Sequence, residues 1–145
     1  LIKALDSKTK FNIVSFSEKI ESFANRKLVR ATTDNKRKAI AFVKKMNVLT
    51  TTWTDKALKE AFENKEADTI VLLSDGAPTH SGDYSDTGNL ISQIYGFVSN
   101  ANRARKVVIH TFGFDSVSTL PKGQDCIDFL KKLANDNGGK FTPIK

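Results

Sequence analysis

The chain has 145 residues, room for one domain that can bury about 70% of its unfolded surface without help from disulfides. Charged residues make up 27% and apolar ones 39%, which excludes a disordered chain, and no apolar stretch approaches the roughly 20 residues of a membrane-spanning helix. The formal net charge of +7 is local: eight cations between Arg26 and Lys45 face Asp34 alone, and the remainder balances at 15 of each sign.

The sequence opens at Leu1 without a basic-then-apolar leader, as expected of a piece of something longer. Phe11–Phe16 is rich in β-formers and runs into Ser17-Glu18-Lys19, so it reads as a strand entering a turn. Ile20–Phe23 and Lys27–Ala31 are weaker candidates for a hairpin partner or an edge strand. From Asp34, a plausible N-cap, Ala39, Phe42, Val43 and Met46 fall at helical spacing, which predicts an amphipathic helix with its lysines in water. That basic stretch can meet nucleic acid or an acidic surface, or simply be a solvated helix face. Lysine outnumbers arginine 18 to 5, and arginine is the residue that grips phosphates and bases bidentately, so composition argues against nucleic acid.

A polar, β-branched run, Thr50–Thr54, precedes a second helix with Ala57, Leu58, Ala61 and Phe62 inward and Asp55 in its first turn. Asp68–Ser74 is a near-continuous apolar run, the mark of a parallel strand buried on both faces, and it stops at Asp75-Gly76-Ala77-Pro78. After a polar loop to Gly88, a third helix carries Leu90, Ile91, Ile94, Val98 and Ala101. Val107–Phe114 is another buried strand. A last helix with Cys126, Phe129, Leu130, Leu133 and Ala134 inward stops at Gly138-Gly139, and Lys140–Ile144 can close the sheet at an edge that tolerates Pro143. Alternating strands and helices predict an α/β fold, a doubly wound and mostly parallel sheet flanked by helices.

In such sheets ligands bind beyond the carboxyl ends of the strands. Asp75 leaves the most apolar strand at that end, where a carboxylate needs a cation or several donors, and Gly76 lets backbone approach closely. Thr52 opens a helix nearby, and a hydroxyl beside a carboxylate suits a hard divalent ion, although a threonine there also serves as a cap.

At these two places the sequence resembles the von Willebrand factor A (vWA) domain family. Leu72-Leu73-Ser74-Asp75-Gly76-Ala77-Pro78-Thr79 is similar to the family's fourth strand and its metal-site aspartate. Thr50-Thr51-Thr52-Trp53-Thr54-Asp55-Lys56-Ala57-Leu58 is similar to its glycine-rich loop, with Thr52 at the metal-site threonine and Thr50 and Thr51 where glycines are usual. Phe11–Ser17, Val107–Gly113 and Asn137–Phe141 resemble the second strand, the fifth strand and the closing corner, so the likeness runs the whole length in order. It implies a site for Mg²⁺ or Mn²⁺ with Thr52 and Asp75 as metal ligands, an open coordination position, and a protein partner presenting a carboxylate. The activity implied is binding.

The family's first strand, central in the sheet and ending in Asp-x-Ser-x-Ser, has no counterpart before Leu1. The expectation is therefore a single domain over 1–145, incomplete at its N-terminus, with a partial metal site. Its second and fourth strands would then pair directly, take a strand by exchange with another copy, or leave two open edges. Asp83-Tyr84-Ser85-Asp86-Thr87 matches the motif literally, but it lies in a loop and reads as coincidence. The same loop places Tyr84 and His80 as candidate partner-binding residues beside the site. His110 reads as a satisfied core histidine and Cys126 as a small core hydrophobe. No G-x-S-x-G elbow is present, and Gly139-Lys140-Phe141 is no phosphate loop. Two other classes stay open: a metal-independent scaffold of the same fold, and a metal-assisted hydrolase using Asp75, which lacks a convergent base and second carboxylate.

Overall fold

The computed structural model describes residues 1–47, 50–75, 77–114, 119 and 122–145. A 3₁₀ turn, Ile2–Ala4, leads into β1 (Lys10–Phe11) and β2 (Val14–Phe16), followed by β3 (Ile20–Ser22) and β4 (Val29–Arg30). β2 and β3 form the hairpin expected around Ser17-Glu18-Lys19, and β4 returns antiparallel to β1, pairing Phe11 with Val29. The helix α1 (Thr33–Lys44) comes next. Its N-cap is Thr32, whose Oγ1 accepts from the Asn35 N–H, and not Asp34, which sits in the first turn and holds Arg37 and Lys38.

From there the chain alternates. After α2 (Thr54–Glu63) come β5 (Thr69–Ser74), α3 (Thr87–Asn102), β6 (Val108–Phe114), α4 (Gly123–Asp136) and β7 (Phe141–Ile144). The last three strands make one parallel sheet in the order β5-β6-β7, with Ile70 opposite Ile109 and Thr111 opposite Phe141. Parallel neighbours need crossovers, and α3 and α4 supply them. β7 takes the edge, where Pro143 costs no ladder bond that matters.

One core lies on a single face of this sheet. Ile70 and Leu72 of β5 and Ile109 of β6 meet Leu58 and Phe62 of α2, Ile94 and Val98 of α3, and Cys126, Phe129, Leu130 and Leu133 of α4. The inward residues expected on α4 are all buried. Polar satisfaction holds the helix in place, since the Thr111 hydroxyl donates to the Leu130 carbonyl at 2.8 Å. A smaller cluster of Phe11, Ala31 and Ala39 joins α1 to the β1–β4 ribbon.

The prediction that β5 is buried on both faces fails. Its side chains alternate, with Ile70, Leu72 and Ser74 buried but Val71 46% and Leu73 42% exposed. The α-helices that touch β5 gather on one side, so the continuous apolar run has only half its surface covered. β2 and β5 also do not pair. A cavity of about 1410 Å³ separates them, lined by Val14–Phe16 on one side and the full length of β5 on the other, and among the described residues β5 pairs only with β6. Of the arrangements considered for these strands, direct pairing of the second with the fourth is the one the fold does not adopt.

Candidate functional site

At the carboxyl end of β5 the chain segment that follows Asp75 is tied to the Thr50–Thr54 loop. Ser74 is the last buried residue of the strand and Asp75 emerges exposed beyond it. The Thr50–Thr54 loop reaches the same end because Thr52 and Thr79 exchange two backbone hydrogen bonds, Thr52 N–H to Thr79 carbonyl at 3.0 Å and the reverse at 3.1 Å. That two-residue bridge ties the loop before α2 to the segment following Asp75. Thr51, Thr52 and Asp75 are all among the residues that line the large cavity, as is Ser17 from the turn after β2. Gly76, expected to allow close backbone approach, lies outside the described residues.

An oxygen-only donor set of this kind fits Mg²⁺ or Mn²⁺ in type and excludes nothing softer by geometry. The Thr51 hydroxyl supports it, because Thr51 Oγ1 is buried without a hydrogen-bond partner, and an orphaned buried oxygen costs about 1–3 kcal/mol. The number of donors is small. Mg²⁺ takes six oxygens, and among the described residues no three of His, Cys, Asp and Glu cluster to hold a metal. Thr51, Thr52 and Asp75 alone fall short of that number. Sequence reasoning missed Thr51, whose only signal is its place beside Thr52 in a loop where small residues are usual.

His80 and Tyr84 both have partners within the chain. His80 Nε2 lies 2.7 Å from Asp55 Oδ1, with the carboxylate only 10% exposed, and its ring stands 5.5 Å from that of Trp53. Lys56 Nζ covers Trp53 in turn at 3.4 Å. His80 is therefore a clamp between its loop and the start of α2, and Asp55, read only as a first-turn acid, is its partner. Tyr84 is half-buried against the core, not exposed, and its φ of 63° lies in the left-handed region at the turn.

The acidic loop beyond satisfies itself. The Thr79 hydroxyl donates to Asp86 Oδ1 at 2.8 Å, and the His80 N–H donates to Asp86 Oδ2 at 2.7 Å. Burial pushes the Asp86 carboxyl up, but these donors and the Ser81 hydroxyl outweigh it and hold it below its ordinary value. Ser81 Oγ also lies 2.6 Å from Asp83 Oδ1, while the Ser85 N–H donates to the same oxygen at 3.0 Å. Together they draw Asp83 down to about 2. The Asp83–Thr87 match to a metal motif is thus spent on loop closure, with Thr87 buried in the first turn of α3.

Cys126 is buried as expected, whereas His110 is partnered but half-buried, on the face of β6 opposite Ile109 and Thr111 and not in the core. His110 Nδ1 accepts from the Lys140 N–H at 3.1 Å, a partnered histidine on a strand. Cys126 is fully buried, and burial pushes its thiol up to about 12, which leaves it without thiolate character at neutral pH.

Comparison with known proteins agrees with the geometry. A family model described as von Willebrand factor type A domain matches residues 1–142. The human von Willebrand factor A domain-containing protein 3B is 28% identical over 137 residues, 94% of this chain and 9% of its own length. Its human relative 3A is 28% identical over 141 residues, 97% of this chain and 10% of its own. The chain therefore spans about a tenth of these relatives. A solved structure, a von Willebrand factor type A protein from Catenulispora acidiphila, superposes with a TM-score of 0.69 at 16% identity, over 99% of this chain and 32% of that one.

Proposed function

The chain belongs to the von Willebrand factor type A domain family, and from that premise we propose that it is a protein-interaction domain whose binding end is the carboxyl end of β5. Thr52 and Asp75 would hold Mg²⁺ or Mn²⁺ there, with Thr51 beside them and a protein partner supplying a carboxylate. When bound, the ion supplies positive charge that the protein leaves uncompensated, and the partner's carboxylate neutralises it. The chain's own part is positional. The Thr52–Thr79 bridge sets the two donor loops against each other, and the Asp55–His80 pair pins the second loop to α2. That bridge is the observation that carries the reading, because it brings a hydroxyl and a carboxylate 23 positions apart onto one cavity.

The reading is non-catalytic. Calorimetric titration of Mg²⁺ and Mn²⁺ tests the proposal: saturable heat is expected, lost in both Asp75→Ala and Thr52→Val. Heat that survives both substitutions would sink it. The small donor number favours one second reading, a scaffold of this fold that binds partners without metal. A folded chain that gives no heat with either ion, yet still retains a protein partner in the presence of chelator, would establish that alternative.

A further inference from the structure

The chain's excess charge and its least buried helix coincide. Of the residues of α1 only Ala39 is fully buried, although Phe42 and Val43 were expected to turn inward with it, and Val43 is 40% exposed. A helix this short depends on packing for its stability. On its outer side, positions 33, 37, 41 and 36, 40, 44 form two neighbouring rows of one stripe, as helical geometry requires. Those residues, with Lys3 from the opening turn, line a shallow cavity of about 470 Å³.

The stripe is not uniformly polar, as a solvated face would be. Its centre is Ile40 and Ala41, and its ends are cationic, Lys36 and Arg37 at one and Lys44 at the other. Lys36 is already committed, since its Nζ donates to the carbonyls of Lys3 and Leu5 and staples the opening turn to the helix. Arg37 is on Asp34 at 2.7 Å. Lys3 and Lys44 have no carboxylate partner among the described residues. From position 36 to position 44 the helix rises about 12 Å.

We propose that this face of α1 binds an acidic amphipathic helix of a protein partner, its apolar residue on Ile40 and Ala41 and its carboxylates, about eight residues apart, reaching Lys3 and Lys44. Charge complementarity selects the acidic partner, and the apolar centre selects protein over nucleic acid. Phosphates gain nothing from Ile40 and Ala41, and the one arginine of the stripe, Arg37, is held by Asp34. Binding at this surface needs no metal.

Fluorescence anisotropy on the 145-residue chain tests it. The probe is a labelled, alanine-based helical peptide with a central leucine pair flanked by glutamates eight residues apart. Its comparators are the same peptide with lysine for glutamate, the glutamate peptide with alanine for leucine, and a short DNA duplex. Saturable binding of the first peptide alone is expected. Lys44→Glu should weaken it about tenfold, and Ala41→Arg, at an exposed position where folding is not at risk, by a similar factor. Lys131→Glu, the same charge change on α4, should leave it unaltered. Absence of saturable binding overturns the proposal, as does equal binding of the leucine-free peptide or indifference to Ala41→Arg, which would mean charge alone. Tighter binding of the duplex would mean a nucleic-acid surface. Sedimentation that finds a dimer dissolved by Lys44→Glu would mean that a second copy is the occupant.

Discussion

Replacing Gly139 with alanine tests the joint between α4, β6 and β7. A Cβ added at Gly139 would lie 1.9 Å from the Ile109 carbonyl oxygen, 2.5 Å from its carbon and 3.0 Å from the His110 nitrogen. Carbon contacts settle at about 3.5 Å, so the corner would have to retreat by about 1.5 Å. Every atom in its way is backbone of β6, which no rotamer change can move. Retreat weakens the bonds that dock the corner there, Ile109 N–H to the Asn137 carbonyl at 3.3 Å and Thr111 N–H to the Lys140 carbonyl at 3.1 Å. Two such bonds at about 1 kcal/mol each, added to about 1–3 kcal/mol of overpacking, give a loss of about 3–5 kcal/mol. That is a large part of the 5–15 kcal/mol typical of a domain and corresponds to a fall in Tm of roughly 10–15 °C. Two other glycines calibrate the measurement. Gly138→Ala meets open space but keeps φ at 68°, which costs about 1 kcal/mol, and Gly96→Ala, in α3 with nothing near, should gain about 0.5–1 kcal/mol. Urea unfolding followed by circular dichroism gives all three. A Gly139→Ala chain within 1 kcal/mol of the parent, or more stable than Gly138→Ala, would refute the packing described for this corner.

Two further substitutions address the buried polar and titratable groups. Asn102 is buried, donates to the Val107 carbonyl at 2.8 Å and to Asn137 Oδ1 at 2.7 Å, and accepts from the Val107 N–H at 2.7 Å; Asn102→Ala should cost about 2–4 kcal/mol in the same urea assay. Burial pushes the Cys126 thiol up to about 12 in the folded chain, above its ordinary value, so the native state keeps its proton longer. Its contribution is intact below pH 9 and lost as pH rises from 9 towards 12. Cys126→Ser should therefore flatten stability against pH in that window, and a thiol reagent at pH 8 should label the parent only after unfolding. Labelling of the native chain at the rate of a free thiol would contradict the burial.

Sequence patterning carried most of the fold because helix and strand periods report directly on which face is apolar. Leu58 and Phe62 of α2, Leu90, Ile94 and Val98 of α3, and Cys126, Phe129, Leu130 and Leu133 of α4 are buried where spacing predicts. Pattern failed where it depends on neighbours. Asp68–Ser74 is apolar throughout, yet periodicity does not say whether anything lies on its second face, and Val71 and Leu73 are exposed. The α1 pattern is equally clear, yet Val43 is exposed because too little surface is available to cover it. The N-cap shifted from Asp34 to Thr32 because both residues can cap, and only the backbone angle at Thr32 decides between them.

At the site, residue chemistry pointed to Thr52 and Asp75, since a polar residue leaving an apolar strand is costly without a purpose. Their placement on one cavity came from the Thr52–Thr79 bridge, a contact between segments 27 positions apart that no local signal encodes. The pairing of His80 with Asp55 across 25 positions is of the same kind. So is the saturation of Asp83 and Asp86 by their own loop, which turns a literal motif match into a turn. Charge and apolar period are properties of the chain and survive in any conformation, so the sequence alone determined the α/β alternation, the inward faces of α2, α3 and α4, and the concentration of positive charge on α1. Contacts between distant segments exist only once the chain is folded, so the tertiary structure alone decided that β2 and β5 do not pair, that the Thr50–Thr54 loop is bridged to Thr79, and that His80, Asp83 and Asp86 are held by partners within the chain.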